Sequence, residues 1–290
     1  MLGTEKLYTA EQTRALDRAA IEGHGVPGIR LMARAARATF AALLDLWPEP
    51  ECVQVVCGTG NNGGDGFLVA DLAHNRGIPA VVYQIGDAGK IRGDALAARE
   101  RALASGVQIL PWAEGVLERR GVIVDAMLGT GLGGDVRGDY GDAIRAINAS
   151  GAATLAVDIP SGLCSDTGRV LGIATLADLT VTFIGLKRGL FTLSGADHAG
   201  AVHFSDLAVP MAIYDEVPGD CARLEFEPLL DLLAPRPATA HKGHYGNVLI
   251  VGGDHGMAGA AAMAAEAALR CGSGLVRVAT RPEHVGALVA

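Results

Sequence analysis

Three short segments carry the residue types that could bind a ligand or perform acid and base chemistry. The first is Gly-Thr-Gly-Asn-Asn-Gly-Gly-Asp-Gly at residues 58–66, whose glycines let the backbone turn tightly and present N–H groups. The second, Val-Asp-Ala-Met-Leu-Gly-Thr-Gly-Leu-Gly-Gly-Asp, spans 124–135, and the third, Ala-Val-Asp-Ile-Pro-Ser-Gly, spans 156–162. In open α/β sheets, ligands bind beyond the carboxyl ends of the strands, so we expect these segments to converge on one site.

The side chains of these segments favour two kinds of chemistry. Asn62, Asp125 and Ser161 carry hard oxygen atoms, which suit an alkali or alkaline-earth cation. Asp158 is then the candidate for acid/base catalysis. The first segment is neither a Walker loop nor a usual dinucleotide fingerprint. The purely structural alternatives are Asp65 as a helix N-cap, Asp125 as a loop cap, and a simple proline–glycine turn in the third segment.

An alternation of strand-like and helix-like stretches positions the three segments. A capping-box pattern at 9–12 begins a helix predicted to run to about residue 22, and an alanine-rich helix is predicted over 28–47. Continuous apolar runs are typical of parallel strands covered by helices on both faces, so we predict a Rossmann-like, doubly wound α/β domain. The predicted strands are 52–57, 80–85, 121–126, 153–158 and 179–183, and the helices between the first four are 65–76, 94–104 and 141–150.

A second domain is predicted after the first. The alternation ends near residues 221–240, where Ala-Pro-Arg-Pro-Ala-Thr-Ala at 234–240 indicates a linker. Strands at 247–251 and 275–280 are predicted to flank a helix at 257–271. We therefore expect one domain over 1–221 and another over 222–290. One strand–helix–strand unit cannot complete a sheet, so the second domain is expected to be cut short.

The composition excludes several broad classes of protein. Hydrophobic residues make up 50% and charged residues 19%, which excludes a disordered chain. The net charge of −8 does not suit nucleic acid or an anionic membrane, and no apolar run reaches the ~18 residues of a membrane span. The first 16 residues lack a signal-peptide block, and the five cysteines form no Cys-X-X-Cys pair. A cytoplasmic protein is expected.

The motifs of the first domain closely resemble those of the NAD(P)H-hydrate epimerase family. The resemblance rests on the segment at 58–66, on Val-Asp-Ala-Met-Leu-Gly-Thr-Gly-Leu at 124–132 and on Val-Asp-Ile-Pro-Ser-Gly-Leu at 157–163. Beyond the linker, His-Lys-Gly-His-Tyr-Gly at 241–246 and Gly-Met-Ala-Gly-Ala at 256–260 are similar to the opening of the ADP-dependent NAD(P)H-hydrate dehydratase, a ribokinase-like α/β domain. The two resemblances together cover nearly the whole chain.

The resemblance implies an enzyme that repairs damaged nicotinamide cofactors. NADH and NADPH hydrated at nicotinamide C6 form R and S epimers, named NADHX and NADPHX. The epimerase interconverts these epimers, and the dehydratase recovers the cofactor from the S epimer. The implied cofactors are a potassium ion in the first domain and ADP or ATP in a complete dehydratase domain. The partner is the small-molecule substrate, without nucleic acid or membrane, and a homo-oligomer remains open.

The family motifs also imply the site residues. Asn62, Asp125 and Ser161 would hold the potassium ion, and Asp158 would face the substrate as the catalytic residue. We hypothesise that Asp158 protonates the departing C6 hydroxyl and then deprotonates the water that adds to the other face. The residues implied to bind the substrate are Asn61, Asn62, Gly63, Gly64, Asp65, Gly129, Thr130, Gly131, Leu132, Gly133, Gly134, Asp135 and Asp158.

Some features depart from the family or leave alternatives open. Cys164 stands where the family usually has aspartate, and Asp71 stands at an often basic position. Lys187 and Arg188 form the best basic pair for a phosphate group, with a solvated surface pair as the alternative. A catalytically silent scaffold of the same fold is a second hypothesis, which the retained polar side chains argue against. A sugar or vitamin kinase is a third, suggested by the ribokinase-like start.

Overall fold

The computed structural model describes residues 5–230 and 235–288 of the chain. The chain divides into two compact units, Met1–Glu225 and Phe226–Ala290. The first residue of the predicted linker, Ala234, lies outside the described residues. Among the described residues, no helix is both long and apolar enough to cross a membrane.

The first unit alternates strands and helices along the chain. Its strands are β1 (Glu5–Tyr8), β2 (Val53–Cys57), β3 (Ala80–Gln84), β4 (Gln108–Pro111), β5 (Val122–Ala126), β6 (Ala153–Val157), β7 (Leu179–Phe183), β8 (Leu186–Lys187), β9 (Ala201–Ser205) and β10 (Cys221–Arg223). Its α-helices are α1 (Ala10–Arg18), α2 (Gly28–Leu46), α3 (Asn61–Asn75), α4 (Gly93–Ala104), α5 (Asp139–Ser150), α6 (Gly195–His198) and α7 (Ile213–Glu216).

A seven-stranded, fully parallel sheet forms the centre of the first unit. Its strand order is β4-β3-β2-β5-β6-β7-β9. The chain builds outward from β2 through β3 and β4, then returns to place β5 on the other side of β2. The order therefore reverses between β2 and β5, which is the point where open α/β sheets leave a crevice for ligands. The doubly wound fold expected from the apolar runs is confirmed.

The two faces of this sheet pack against different helices. Val53, Val55 and Cys57 share one buried cluster with side chains of α2, α3 and α4. The intervening Val56 belongs to a second cluster, which includes Ile144 of α5. Since successive strand residues point to opposite faces, a strand covered on both sides must be apolar at nearly every position. This explains the continuous apolar runs of the sequence.

The first helical stretch ends at Gly23, close to its predicted end near residue 22, but its hydrogen-bond pattern changes along the way. The capping box is present, because the Thr9 side chain accepts from the Gln12 N–H and the Gln12 side chain accepts from the Thr9 N–H. However, α1 ends at Arg18 and continues as a π-helix over Ala19–Gly23. Single turns of π-helix are uncommon in proteins, and those that occur are frequently found at functional sites.

The sheet contains strands that the sequence did not reveal. All five strands predicted for the first domain are present, each within one residue of the expected bounds. Strands β4 and β9 at the two edges were not predicted, because they are partly exposed and lack a continuous apolar run. The small sheet β10-β1-β8 was also not predicted. Each of its three strands has four residues or fewer, too short to show a pattern.

The predicted domain boundary falls inside one of these short strands. Strand β10 pairs antiparallel with β1, and Cys221 lies opposite Leu7. The first compact unit therefore continues to Glu225, four residues beyond the predicted boundary at 221. The second unit contains α8 (Phe226–Leu230), β11 (Asn247–Val251), α9 (Ala258–Arg270), β12 (Leu275–Ala279) and α10 (Val285–Leu288), with β11 and β12 paired in parallel.

Candidate functional site

A cavity of about 570 Å³ opens at the carboxyl ends of the central strands. Its walls come from the segments that follow β2, β5, β6 and β7, together with α1 and α2. Ligand pockets in proteins usually enclose about 300–1,000 Å³, so the cavity suits a small organic molecule. Of the predicted site residues, those that line it are Asn61, Asn62, Asp65, Gly129, Thr130, Gly131, Leu132, Gly133 and Asp158.

Asp158 occupies a strained position at the end of β6. Its φ is +69°, in the left-handed region that residues other than glycine rarely adopt. Its N–H donates to the Val181 carbonyl at 2.7 Å, which ties the turn to β7. Ile184, which follows β7 and lines the same cavity, has a φ of +61°. Such conformations cost about 1–3 kcal/mol each and concentrate at functional sites.

Lys187 is the cationic partner of Asp158. Its ammonium group donates to the Asp158 carboxylate and, at 2.9 Å, to the Phe183 carbonyl. The Lys187 side chain is only 1% exposed, whereas that of Asp158 is 17% exposed. The idea that Lys187 pairs with Arg188 as a phosphate-binding surface is therefore wrong for the lysine, since the buried ammonium is already committed to a carboxylate.

Two more carboxyl groups share this cavity. Burial raises the pKa of Asp65 well above its usual range, Asp158 and Asp17 raise it further, and Lys187 opposes them. Burial also raises the pKa of Asp17 to about 6, where Lys187 lowers it and Asp158 raises it. The cavity thus brings three carboxyl groups close to one lysine. A site of this kind can hold one carboxyl ionised and another protonated near neutral pH.

The glycine-rich segments divide into residues that face the cavity and residues that do not. Helix α3 begins at Asn61 with Gly60 as its N-cap, so Asp65 is not the N-cap of this helix. A Cβ at Gly63 would lie 2.2 Å from the Gly58 carbonyl oxygen, and one at Gly64 would lie 2.6 Å from the Met32 side chain. These glycines permit close packing. Like them, Gly134 and Asp135 do not line the cavity.

Asp125 and Ser161 meet beneath the cavity and are both fully buried. The Ser161 hydroxyl donates to the Asp125 carboxylate at 2.6 Å, and the Ser161 N–H donates to it at 2.8 Å. The Met127 N–H adds a third bond at 3.2 Å. Burial raises the pKa of Asp125, and the bonds from Ser161 oppose that rise. The two residues therefore link the loop after β6 to the end of β5.

Asn62 is the third side chain of the predicted cation site. Both polar atoms of its side-chain amide are buried without a hydrogen-bond partner among the described residues. Its Cβ lies near Gly129, one residue beyond Leu128, whose N–H donates to the Ser161 hydroxyl at 2.9 Å. Buried polar atoms nearly always have a partner, so this amide has room for a water molecule, an ion or a substrate group as its partner. Oxygen donors of this kind fit an alkali cation.

No group of three or more His, Cys, Asp or Glu side chains gathers into a metal-binding cluster in the described parts of the chain. The predicted cation site differs from such clusters because two of its three members, Asn62 and Ser161, supply neutral oxygens. A single carboxylate with neutral oxygens is a set of hard oxygen donors, which suits an alkali or alkaline-earth cation.

Sequence reasoning missed Asp17 and misread Lys187. Asp17 lies on a helix whose amphipathic pattern gave it the appearance of an ordinary surface residue. Only the packing of α1 over the strand ends brings it to the cavity. The Leu-Lys-Arg-Gly-Leu segment drew attention to Lys187, but its partner could not be identified, because the pairing depends on the turn after β6.

Comparisons with known proteins agree with this architecture. The family described as "YjeF-related protein N-terminus" matches residues 28–189, and the one described as "NAD(P)H-hydrate dehydratase" matches residues 248–290. The crystal structure of yeast ynu0 superposes with a TM-score of 0.65 at 18% identity, over 77% of this chain and 96% of that chain. At that identity, the likeness supports the fold alone.

Relatives in other organisms match almost the whole chain. A protein of Coxiella burnetii named "Bifunctional NAD(P)H-hydrate repair enzyme Nnr" is 47% identical over 279 residues, or 96% of this chain and 57% of the relative. The Escherichia coli protein of the same name is 40% identical over 287 residues, covering 98% and 55%. The chain thus spans little more than half the length of these relatives. It belongs to the YjeF-related family, in the form whose bacterial relatives are named bifunctional NAD(P)H-hydrate repair enzymes.

Proposed function

We propose that the first unit epimerises the R and S forms of NADHX and NADPHX at nicotinamide C6. The observation that carries the proposal is Asp158, which lines the cavity at the sheet's reversal point in a strained conformation and is paired with a buried lysine. A strained, partly exposed carboxylate at such a point is a candidate acid/base group. The names of the relatives supply the chemical class of the substrate.

The substrate would lie against the two glycine-rich segments. Asn61, Asn62 and Asp65 border the cavity from the first turns of α3, whose N-terminus favours phosphate groups. The loop at 129–133 lies between the main cavity and a smaller one of about 250 Å³. A dinucleotide that reached across this loop would use both cavities. Gly63, Gly64, Gly134 and Asp135 would contribute through backbone geometry.

The chemistry at C6 needs a group that handles protons. The ring nitrogen beside C6 can expel the hydroxyl once that oxygen is protonated, so the C–O bond breaks, water leaves and a C=N iminium forms. Water then adds to the other face of C6, loses a proton, and returns the electron pair to nitrogen. Asp158 would exchange protons with the C6 oxygen, while Lys187 holds the carboxylate in place by donating to it.

The cation of this site would be potassium, held by Asn62, Asp125 and Ser161. Support comes from the orphaned Asn62 amide and from the buried Asp125 carboxylate, which has no cationic partner among the described residues. A bound potassium ion would offset the buried negative charge and stabilise the loops after β5 and β6. This role is structural and electrostatic, without proton transfer.

The remaining assignments extend the proposal to the rest of the chain. We assign residues 1–225 to the epimerase, four residues beyond the predicted boundary at 221, and residues 226–290 to the opening of the dehydratase. The dehydratase would use ADP or ATP to recover NAD(P)H from the S epimer. The match of residues 248–290 to the dehydratase family supports this division. A cytoplasmic location stays a prediction from the sequence, and a homo-oligomer stays an open alternative.

The direct test follows the epimer ratio. Purified chain is added to NADHX enriched in the R epimer, and the S epimer is measured by chromatography, with potassium chloride or with an equal concentration of lithium chloride. We expect the approach to equilibrium to be accelerated at least ~100-fold over the spontaneous rate, and to be slower without potassium. Equal rates with and without protein would contradict the proposal and favour a silent scaffold.

A further inference from the structure

Asp17 is a carboxyl group of the cavity that has no role in the chemistry described above. Asp17 lies on α1, whereas Asp158 follows β6, so the two carboxyls reach the cavity from different elements. Asp17 forms neither a hydrogen bond nor an ion pair with another of the described residues, unlike Asp158, which is paired with Lys187. A carboxyl in a partly closed cavity without a protein partner is available to a ligand.

Inversion at C6 sets a geometric requirement that one fixed carboxyl does not meet. The hydroxyl leaves from one face of the nicotinamide ring, and water adds to the opposite face. A group that protonates the leaving oxygen lies on the first face, while the group that deprotonates the incoming water lies on the second. Asp158 is held by the bond from Lys187 and by the tie between its N–H and Val181, so it cannot move from face to face.

We propose that Asp17 is the second acid/base residue of this site, acting on one face of the nicotinamide ring while Asp158 acts on the other. The inference rests on the proposed epimerase function and specifies how that function is divided between two residues. It also gives α1 a role in catalysis. The π-helical turn that follows α1 begins two residues after Asp17, and such turns are frequent at functional sites.

In one inversion, one proton leaves Asp17 and one proton reaches Asp158. Asp17 as the acid gives its proton to the C6 oxygen, the C–O bond breaks, water leaves, and the nitrogen lone pair forms the C=N bond. Water attacks C6 from the opposite face, its proton passes to the Asp158 carboxylate, and the C=N electrons return to nitrogen. The cycle ends with Asp17 ionised and Asp158 protonated, and proton exchange of both carboxyls with water, or inversion of the other epimer, restores the starting state.

The groups around Asp17 suit it to both roles. Burial raises its pKa to about 6, Lys187 lowers it, Asp158 raises it and Arg18 lowers it. Asp65 would be a poorer choice, because burial raises its pKa well above its usual range and so disfavours the ionised form that a base needs. The other ionisable side chains that line the cavity are Arg14 of α1, Asp94 of α4 and Tyr140 of α5.

The active form in this arrangement is the carboxyl pair with a single proton. Because either carboxyl can carry that proton, both directions of the reaction share one pH profile. Burial raises the pKa of Asp17 to about 6, so Asp17 gives up its proton above that pH. We therefore expect kcat/KM to fall about tenfold per pH unit on the alkaline side of that value.

The experiment compares the whole chain with Asp17→Asn, Asp158→Asn and Glu11→Gln. Glu11 is an exposed acid on the same helix and does not line the cavity, so it serves as the matched control. The conversion of R-NADHX to S-NADHX is followed from pH 5 to 9, and NADHX affinity is measured by calorimetry. We expect the kcat of Asp17→Asn to be at least ~100-fold lower than that of wild type. Its kcat/KM should no longer fall on the alkaline side of the pH profile, and its affinity for NADHX should stay within about threefold of wild type.

The outcomes separate this inference from the proposed function. If the unmodified chain does not accelerate epimerisation, the proposed function fails and the inference falls with it. If the unmodified chain is active but Asp17→Asn keeps more than a tenth of its rate, only the inference fails. Should Asp17→Asn not fold, the profile of the unmodified chain decides, because a flat kcat/KM between pH 5 and 8 would also overturn the inference.

Discussion

At the scale of single residues, the site surrounds one lysine with three carboxyl groups. Lys187 neutralises the charge of Asp158 at close range, which leaves Asp17 and Asp65 in a buried setting with excess negative charge. Each of these two carboxyls then favours its protonated form, because burial penalises the ionised one. The three carboxyl groups of this cavity therefore differ in how readily they take up a proton, as acid/base catalysis requires.

The raised pKa of Asp17 has a consequence for stability. The unfolded chain ionises this carboxyl near its ordinary value of 3.8, whereas the folded protein does so at about 6. The folded state therefore loses stability as pH rises through that interval, and the loss is complete above it. We predict that Asp17→Asn raises the free energy of unfolding by about 2 kcal/mol at pH 8 and changes it little at pH 4.

Urea denaturation at the two pH values measures this effect. The exposed Glu11→Gln substitution on the same helix is the control and should show no such pH dependence. An Asp17→Asn variant that is no more stable than wild type at pH 8 would show that the ionised carboxyl is well accommodated in the folded protein. That result would contradict the claim that the ionised Asp17 carboxylate destabilises the folded protein.

Sequence reasoning identified some residues of the candidate site and missed others. Asp158, Asn62 and the oxygen atoms of Asp125 and Ser161 were found from their positions at strand ends, and their placement around one edge of the sheet follows from the fold. Asp17 could not be found in this way, because it reaches the cavity from a helix about 140 residues earlier in the chain. Its place in the cavity becomes visible only through tertiary packing.

At the scale of elements, the site depends on how closely the β2–α3 turn approaches the end of β5. A Cβ at Gly58 would lie 2.1 Å from the Met127 carbonyl oxygen, and one at Gly66 would lie 2.5 Å from the Ala126 side chain. Only glycine allows the first turn of α3 to lie this close to the loop after β5. The contact places Asn62 beside Gly129 and so helps to form the cavity.

We predict that Gly58→Ala destabilises the protein by about 1–3 kcal/mol, because a methyl group at this position overlaps backbone that cannot move without displacing β5. Gly60→Ala is the matched control, since a Cβ there meets nothing within 4 Å and its φ is −95°. Urea unfolding of both variants measures the difference. Equal unfolding midpoints for the two variants would contradict the proposed close approach.

The central strands of the sheet could be predicted from the sequence, whereas the edge strands could not. Strand β7 was predicted at its observed bounds, Leu179–Phe183, because it is buried on both faces and apolar or threonine throughout. Strand β9 joins the same sheet over Ala201–Ser205 but is half-exposed and polar at several positions. Its pairing depends on the neighbouring β7, not on local propensity, so no local pattern could reveal it.

At the scale of the whole molecule, the proposed epimerase site belongs to the first compact unit alone. The residues that line the cavity fall between Thr13 and Leu207, and the unit extends from Met1 to Glu225. A chain of this length buries enough apolar surface to fold independently. The sequence predicts a boundary at residue 221, whereas the first compact unit extends to Glu225. The pairing of β10 with β1, which holds these last residues in the first unit, could be seen only in the structure.

We predict that residues 1–225 produced alone unfold cooperatively and retain the epimerase rate of the 290-residue chain within about twofold. The physical reason is that the sheet, its buried clusters and the cavity lie within this unit. Thermal unfolding followed by circular dichroism and the epimer assay measure both parts of the prediction. A shortened chain that is folded but inactive would show that residues beyond 225 contribute to the reaction.

The central claim is that this protein inverts C6 through loss and re-addition of an oxygen atom. The most direct measurement is the conversion of R-NADHX to S-NADHX by the 290-residue chain in oxygen-18 water, followed by chromatography and mass spectrometry. We predict rapid appearance of the S epimer with one oxygen-18 atom at C6, well ahead of the reaction without protein. An S epimer formed no faster than spontaneously, or formed rapidly without the label, would contradict the account.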